Sequence, residues 1–122
     1  MNKFAIIGDS TCDLTGELRA KYNIEYARMS VTLGNDVDAK EIYADLDWPE
    51  ISPKEYYDLM RNGTRMRTAQ VTEQEFDRVF IPHLEKGEDV IYISCSSALS
   101  ASVKLAIKLN NEKYSKKYPN AR

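Results

Sequence analysis

A short apolar segment at residues 90–93 is the feature that most constrains how this chain can fold. Its residues, Val-Ile-Tyr-Ile, are β-branched or aromatic, and an uninterrupted apolar run of this length is typical of a strand buried in a parallel sheet. Apolar residues with helical spacing follow it and share one predicted face: Leu99, Val103, Ala106, Ile107 and Tyr114. A strand that leads through a short loop into a helix predicts an α/β fold.

The loop between this strand and helix is rich in serine, with five serines among residues 94–102. Hydroxyl side chains at such a turn lie beside the free backbone N–H groups of the first helical turn. These N–H groups and the helix dipole favour a negative charge, such as a phosphate or a carboxylate. Ser96 or Ser97 would cap the helix, but a cap needs only one hydroxyl. The surplus of serines therefore predicts an anion site.

The beginning of the chain repeats the strand-to-helix pattern. Residues 4–8 are apolar and predict a strand, a short helix follows, and residues 24–31 predict a second strand, which together form a right-handed βαβ unit. Ligands of such sheets bind beyond the carboxyl ends of the strands. Residues 9–13 and 94–102 are therefore expected at the same sheet edge. There Asp9 is either an acceptor that orders the loops or a plain turn residue.

The middle of the chain is more polar. Residues 32–49 are acidic and rich in turn-forming residues, which predicts an exposed connection with a small β excursion at residues 41–43. Ser52 begins a helix with a capping box, and residues 64–72 are interpreted as a polar connector. The next helix contains Pro82, which is expected to kink or shorten it.

Composition and charge exclude several classes of protein. The 122 residues suit one domain, and the formal net charge of −2 argues against a nucleic-acid-binding protein. No apolar run approaches the roughly 20 residues that span a bilayer. Cys12 and Cys95 lack metal-ligand spacing, and the acidic residues lack a calcium-loop pattern, so no metal is expected. Reduced thiols indicate a cytoplasmic protein.

Three segments resemble the DegV family, a set of bacterial fatty-acid-binding proteins. They are DSTCDL at residues 9–14, TAQVT at residues 68–72 and SSALSAS at residues 96–102. The corresponding family patterns are Asp-Ser-x-x-Asp-Leu, Thr-Ser-Gln-Pro-Ser/Thr and Ser-Ser-x-Leu-Ser-Gly-Thr. Their order and spacing match across the whole chain. The expected fold is a three-layer α/β domain with a mainly parallel sheet flanked by helices.

The resemblance implies a carrier and not an enzyme. Family members enclose one long-chain fatty acid and present its carboxylate to a fatty-acid kinase partner. The family positions that hold the carboxylate correspond to Thr68, Ser100 and the backbone N–H of Ala101. Four further residues are expected to support this site: Asp9, Ser10, Ser97 and Ser102. No cofactor other than the bound fatty acid is implied.

The chain departs from the family patterns at several positions. Ala101 stands where the family has glycine, Ser102 where it has threonine, and Ala69 and Val71 where it has serine and proline. A side chain at position 101 keeps the backbone farther from a carboxylate than glycine would. These differences bear on the identity and affinity of the ligand more than on the fold.

Length is a further difference, because family members carry a second domain that closes over the acyl chain. The resemblance thus implies that residues 1–122 form a single α/β domain, the N-terminal half of a longer two-domain protein. The surface on which the second domain would dock is expected to be apolar and to promote self-association.

An enzyme that uses Ser100 or Cys95 as a nucleophile on an ester or phosphoester is the alternative. The chain has a single histidine, His83, which is predicted to lie within a helix. The Gly-x-Ser-x-Gly pattern is absent, which argues against a serine hydrolase. The resemblance favours the carrier over this alternative.

Overall fold

Two three-stranded sheets organise the chain, which the computed structural model describes over residues 3–122. The first sheet is parallel, with its first strand in the centre, and consists of β1 (Phe4–Asp9), β2 (Ile24–Ala27) and β6 (Asp89–Tyr92). The second is antiparallel, with its first strand in the centre, and consists of β3 (Met29–Leu33), β4 (Glu41–Ala44) and β5 (Met66–Ala69).

Three helices of the described residues begin directly after a capping side chain, at Thr15, Ser52 and Thr72, and a fourth begins after Ala101, which supplies no cap. They are α1 (Gly16–Tyr22), α2 (Pro53–Arg61), α3 (Glu73–Glu85) and α4 (Ser102–Leu109), and α4 continues through a π-helical turn (Asn110–Tyr114) into α5 (Ser115–Lys117). Ser52 and Glu55 form the predicted capping box of α2. Pro82 does not shorten α3, which runs on to Glu85, and Pro82 itself is exposed.

The parallel sheet lies between two helical layers. Alternate residues of β1 and β6 pack into the core beneath α3 and α4: Ala5, Ile7, Val90 and Tyr92. Tyr26 of β2 is paired with Gly8, and both lie on the sheet face opposite to these core residues. The guanidinium carbon of Arg19 in α1 lies over the Tyr26 ring, 5.0 Å from its centroid. Helix α1 therefore covers that opposite face. The predicted α/β fold with a parallel sheet flanked by helices is confirmed.

Residues 24–31 do not form the single strand that was predicted. β2 ends at Ala27 and β3 begins at Met29. The Ser10 N–H donates to the Ala27 carbonyl (3.1 Å), and the Met29 N–H donates to Ser10 Oγ (2.8 Å). Because Ser10 satisfies the backbone groups on both sides of Arg28, the chain can leave the parallel sheet there and begin the antiparallel one.

The antiparallel sheet is the part of the fold that the sequence analysis did not predict. β4 confirms the β excursion at residues 41–43, but β5 lies in the segment that was interpreted as a connector. The side chains of β5 are mostly exposed, so the segment lacks the alternating apolar pattern of a half-buried strand. Its pairing with β3 makes it a strand.

Helix α4 begins later than the helical spacing indicated. Leu99 precedes the helix and is 81% exposed, and Ile107 is 56% exposed. Ala106 and Tyr114 of the predicted face are buried. The serine-rich loop is correspondingly longer, which leaves more of its backbone outside regular structure.

A buried carboxylate connects α3 to Arg28, the residue between β2 and β3. Glu75 is 4% exposed and accepts hydrogen bonds from the Arg28 N–H (3.1 Å), Arg28 Nε (2.7 Å) and Arg78 Nη2 (2.7 Å). Burial alone would raise the pKa of Glu75, but the hydrogen bonds from the two arginines outweigh it and lower this pKa to about 2. The carboxylate is therefore ionised in the folded protein.

Replacing this carboxylate with an amide should destabilise the fold. We expect Glu75→Gln to lower the free energy of unfolding at pH 7 by about 3 kcal/mol. The pKa is near 4.5 in the unfolded chain and about 2 in the folded one, so this contribution is complete above pH 4.5 and declines as the pH falls toward 2. Urea unfolding at pH 7 and at pH 3 measures both effects.

Glu73→Gln is the matched control, because Glu73 lies on the same helical turn but is exposed and pairs only with Lys113. It should change the free energy of unfolding by less than about 0.5 kcal/mol. Equal stability of Glu75→Gln and the unmodified protein at pH 7 would contradict the assigned role of Glu75.

Candidate functional site

A buried carboxylate joins the two loops at the carboxyl end of the parallel sheet. Asp9 is fully buried. Its Oδ1 accepts from the Thr11 N–H (2.9 Å) and Thr11 Oγ1 (2.5 Å), and its Oδ2 accepts from the Tyr92 hydroxyl (3.0 Å) and the Cys95 N–H (3.3 Å). The prediction that both loops share one sheet edge is confirmed. Asp9 orders these loops and is not a plain turn residue.

Tyr92 connects this carboxylate to the hydrophobic core. Its ring packs edge-on against Phe76 (5.3 Å between centroids) and Phe80 (5.7 Å). Burial and the neighbouring Asp9 carboxylate raise the pKa of Tyr92, so its hydroxyl stays protonated and donates to Asp9. The sequence analysis missed this role, because an aromatic residue in a buried strand carries no sign that its hydroxyl has a polar partner.

A cavity of about 220 Å³ lies between α2 and the antiparallel sheet. Much of its wall is apolar or aromatic: Val31, Ile42, Trp48, Tyr56 and Tyr57. The three aromatic rings pack on one another with centroids 5.4–6.5 Å apart. Ser10 and Thr68 also line the cavity. The arrangement is a mostly apolar cavity whose wall also contains hydroxyl groups and the carboxylates of Asp13, Asp45 and Glu50.

The Ser10 and Thr68 hydroxyls in this wall can both donate a hydrogen bond. Thr68 is directly opposite Val31 in the sheet, which places their side chains on the same face. Within residues 3–122 the Thr68 hydroxyl has no hydrogen-bond partner. Ser10 Oγ accepts from the Met29 N–H, which leaves the Ser10 hydroxyl proton to donate.

The hydroxyls of Ser100 and Ser102 form a second pair of neighbouring polar side chains at the start of α4. Their Oγ atoms lie 3.0 Å apart, and Ser100 Oγ accepts from the Ser102 N–H at 3.2 Å. Ser102 is fully buried, and its Oγ accepts from the Val71 N–H at 3.1 Å. These bonds attach the serine-rich loop to the segment that follows β5.

The other two predicted residues of this loop are more exposed. Ala101 directly precedes α4, and its N–H meets no acceptor in the described part of the chain. Ser97 is exposed, and its hydroxyl likewise has no described partner. Ser96 accepts from the Ala98 N–H at 3.2 Å, so it caps the short turn before α4 and not the helix itself.

The structure thus arranges the predicted residues as two neighbouring groups. Ser10 and Thr68 share the cavity, whose lining residues do not include Ser100. Ser100 and Ser102 are connected to Val71, which is three residues after Thr68 and therefore no more than about 10 Å from it along the chain. The contact with Val71 could not be read from the sequence, because it depends on a backbone N–H.

The nucleophile alternative would need a base beside Ser100, and the histidine of the chain is engaged elsewhere. His83 lies beside residues 4–6 at the amino end of β1, which are roughly 10–17 Å along the strand from Asp9. Its Nδ1 contacts the Glu88 carboxylate (2.6 Å) and its Nε2 contacts Glu25. Burial lowers the pKa of His83, but the two carboxylates more than compensate and raise it. His83 therefore does not activate Ser100.

Among residues 3–122 no helix has the length and apolar character needed to cross a membrane. The same residues contain no group of three His, Cys, Asp or Glu side chains arranged to hold a metal ion.

Comparison with known proteins identifies the family. A family model described as "Uncharacterised protein, DegV family" matches residues 3–118. The chain belongs to the DegV family. A DegV domain-containing protein of Clostridium perfringens is 30% identical over 121 residues, covering 99% of this chain and 40% of that relative. This DegV chain therefore spans about two fifths of that relative's length.

Two solved structures resemble the fold. A fatty-acid-binding DegV protein of Thermus thermophilus superposes with a TM-score of 0.74 and 28% identity, over 90% of this chain and 37% of that one. A stearic-acid-binding protein of Eubacterium ventriosum gives a TM-score of 0.81 and 25% identity, over 100% of this chain and 39% of that one. Both relatives are described as binding fatty acids.

The environment of Asp9 predicts a large effect for an isosteric change. Each of its oxygens faces one backbone N–H, so either orientation of the amide in Asp9→Asn sets an NH₂ group against a donor. We expect the free energy of unfolding, measured in urea, to fall by about 1–3 kcal/mol. Asp13→Asn is the control: Asp13 is exposed with φ near +51°, a conformation that asparagine adopts readily. Similar stability of both variants would show that Asp9 does not order the loops.

Proposed function

We propose that this DegV protein carries a long-chain fatty acid whose carboxylate is held by the hydroxyls of Thr68 and Ser100 and by the N–H of Ala101. The observation that carries the proposal is the Thr68 hydroxyl, which stands in the wall of an apolar cavity without a partner among residues 3–122. The fatty-acid-binding descriptions of the two solved relatives support the class of ligand.

The hydrogen-bonding character of the site suits a carboxylate. A carboxylate accepts hydrogen bonds and donates none, and Ser10, Thr68 and Ala101 each offer a donor without an acceptor in the described chain. The amino end of α4 adds a favourable dipole. In this proposal Asp9 and Ser102 hold the loops in place, and the exposed Ser97 contributes at the rim.

The acyl tail would supply most of the affinity, at about 0.8 kcal/mol for each buried CH₂ group. Pockets that enclose a whole ligand usually measure about 300–1,000 Å³, whereas this cavity measures about 220 Å³. The cavity would therefore cover only part of a long tail. We propose that a second domain covers the rest, and that the chain acts as the N-terminal half of a two-domain carrier.

The proposed role is to present the carboxylate and not to react with it. Four neighbouring residues of the serine-rich loop, 96–99, are exposed, which would leave the head group accessible to a kinase partner in the cytoplasm. Self-association through an apolar docking surface stays a prediction.

Removing either hydroxyl should weaken binding. We expect Ser100→Ala and Thr68→Val each to lose one charge-assisted hydrogen bond, which costs on the order of 1.5–3 kcal/mol of binding free energy. Titration calorimetry with palmitate, at concentrations where it is monomeric, measures the loss. Native mass spectrometry of the purified chain and organic extraction identify any fatty acid that it already carries.

Ser115→Ala is the matched control, because Ser115 is an exposed serine on α5 and has no hydrogen bond of its side chain in the described residues. It should bind palmitate like the unmodified chain. Undiminished binding by both site variants would refute the assignment of Thr68 and Ser100. Failure of the unmodified chain and of a longer two-domain form to bind any fatty acid would refute the carrier.

A further inference from the structure

We infer that Ser102 is a positioning residue that makes Ser100 an obligate hydrogen-bond donor, so that the site selects a ligand head group that accepts. This inference rests on the proposed function and concerns the same site. It follows from the hydrogen bonds of Ser102, Ser100 and Val71, which together determine where each hydroxyl proton points.

The first step concerns the buried hydroxyl. Ser102 is fully buried, and its Oγ already accepts from the Val71 N–H at 3.1 Å. Buried hydroxyl protons in native proteins are almost always satisfied. The only acceptor for this proton within residues 3–122 is Ser100 Oγ, at 3.0 Å. Ser102 is therefore the donor in the contact between the two serines.

The second step concerns Ser100. Its Oγ accepts from the Ser102 hydroxyl at 3.0 Å and from the Ser102 N–H at 3.2 Å. A serine oxygen has two acceptor positions and one proton. With both acceptor positions occupied, Ser100 can only donate. Ser100 is half-buried, so its proton is accessible to a ligand.

The result is a directed chain of hydrogen bonds from the Val71 N–H through Ser102 and Ser100 to the ligand. Each bond in such a chain polarises the next one and strengthens the final donor. A carboxylate, which accepts only, suits this donor. A head group that must donate to Ser100, such as an ammonium, finds no free acceptor position there.

Substitution at position 102 tests this role with two matched side chains. Thr and Val have nearly the same shape, but only Thr keeps the hydroxyl. The measured quantity is the ratio of the affinities for palmitate and for hexadecan-1-ol, which can both donate and accept. We expect Ser102→Thr to retain the ratio of the unmodified chain and Ser102→Val to reduce it about tenfold, because Ser100 can then accept from the alcohol.

A merely structural role for Ser102 would weaken binding of both probes in proportion and leave the ratio unchanged. An unchanged ratio in Ser102→Val, or an equal reduction in Ser102→Thr, would overturn the inference. If the unmodified chain bound palmitate in these experiments, the proposed function would survive that result. If neither the unmodified chain nor a longer two-domain form bound palmitate, the proposed function would fail and the inference with it.

A second measurement needs no variant and keeps the inference testable if the substitutions prevent folding. In the unmodified chain, NMR should show a slowly exchanging Ser102 hydroxyl proton both with and without palmitate. The Ser100 hydroxyl proton should exchange slowly only when palmitate is bound. A protected Ser100 proton in the ligand-free chain would show that Ser100 donates to Ser102, which is the reverse of the inferred direction.

Discussion

The ion pair between Glu75 and Arg28 is the interaction on which the rest of the structure depends. It lies where the chain leaves one sheet for the other, and its carboxylate is almost wholly withdrawn from water. A buried charge is tolerated only when its hydrogen bonds are satisfied. Here the Arg28 backbone and side chain, with Arg78, satisfy it. The same contact holds α3 on the core and fixes the direction in which β3 departs.

The candidate site likewise depends on buried polar groups whose hydrogen bonds are satisfied. Ser10 binds the backbone on both sides of Arg28 and also lines the cavity, so the junction of the sheets and the candidate site share a residue. Asp9 and Ser102 are both fully buried and both accept from backbone N–H groups. Acceptors are therefore used inside the loops, and donors remain at their surface. These donors suit a ligand head group that accepts hydrogen bonds.

Much of this arrangement could be predicted from local sequence. The apolar runs that became β1 and β6 and the capping box of α2 depend on neighbouring residues alone, and each was found where its pattern indicated. The meeting of the two loops followed from the rule that parallel strands present their carboxyl ends at one edge. The anion site was inferred from serine density and helix polarity, and it stays a prediction.

The sequence by itself determined the parallel sheet, the helix starts that a capping side chain marks and the polar loops at the sheet edge, because these follow from periodicity and capping within short segments. Only the tertiary structure decided that the predicted strand is interrupted at Arg28, that residues 66–69 form a strand and that Ser102 Oγ accepts from the Val71 N–H. Each of these depends on a partner distant in sequence: Glu75, β3 and a backbone group. Such partners leave no local pattern, since their energy comes from satisfying buried polar groups that become neighbours only in the folded chain.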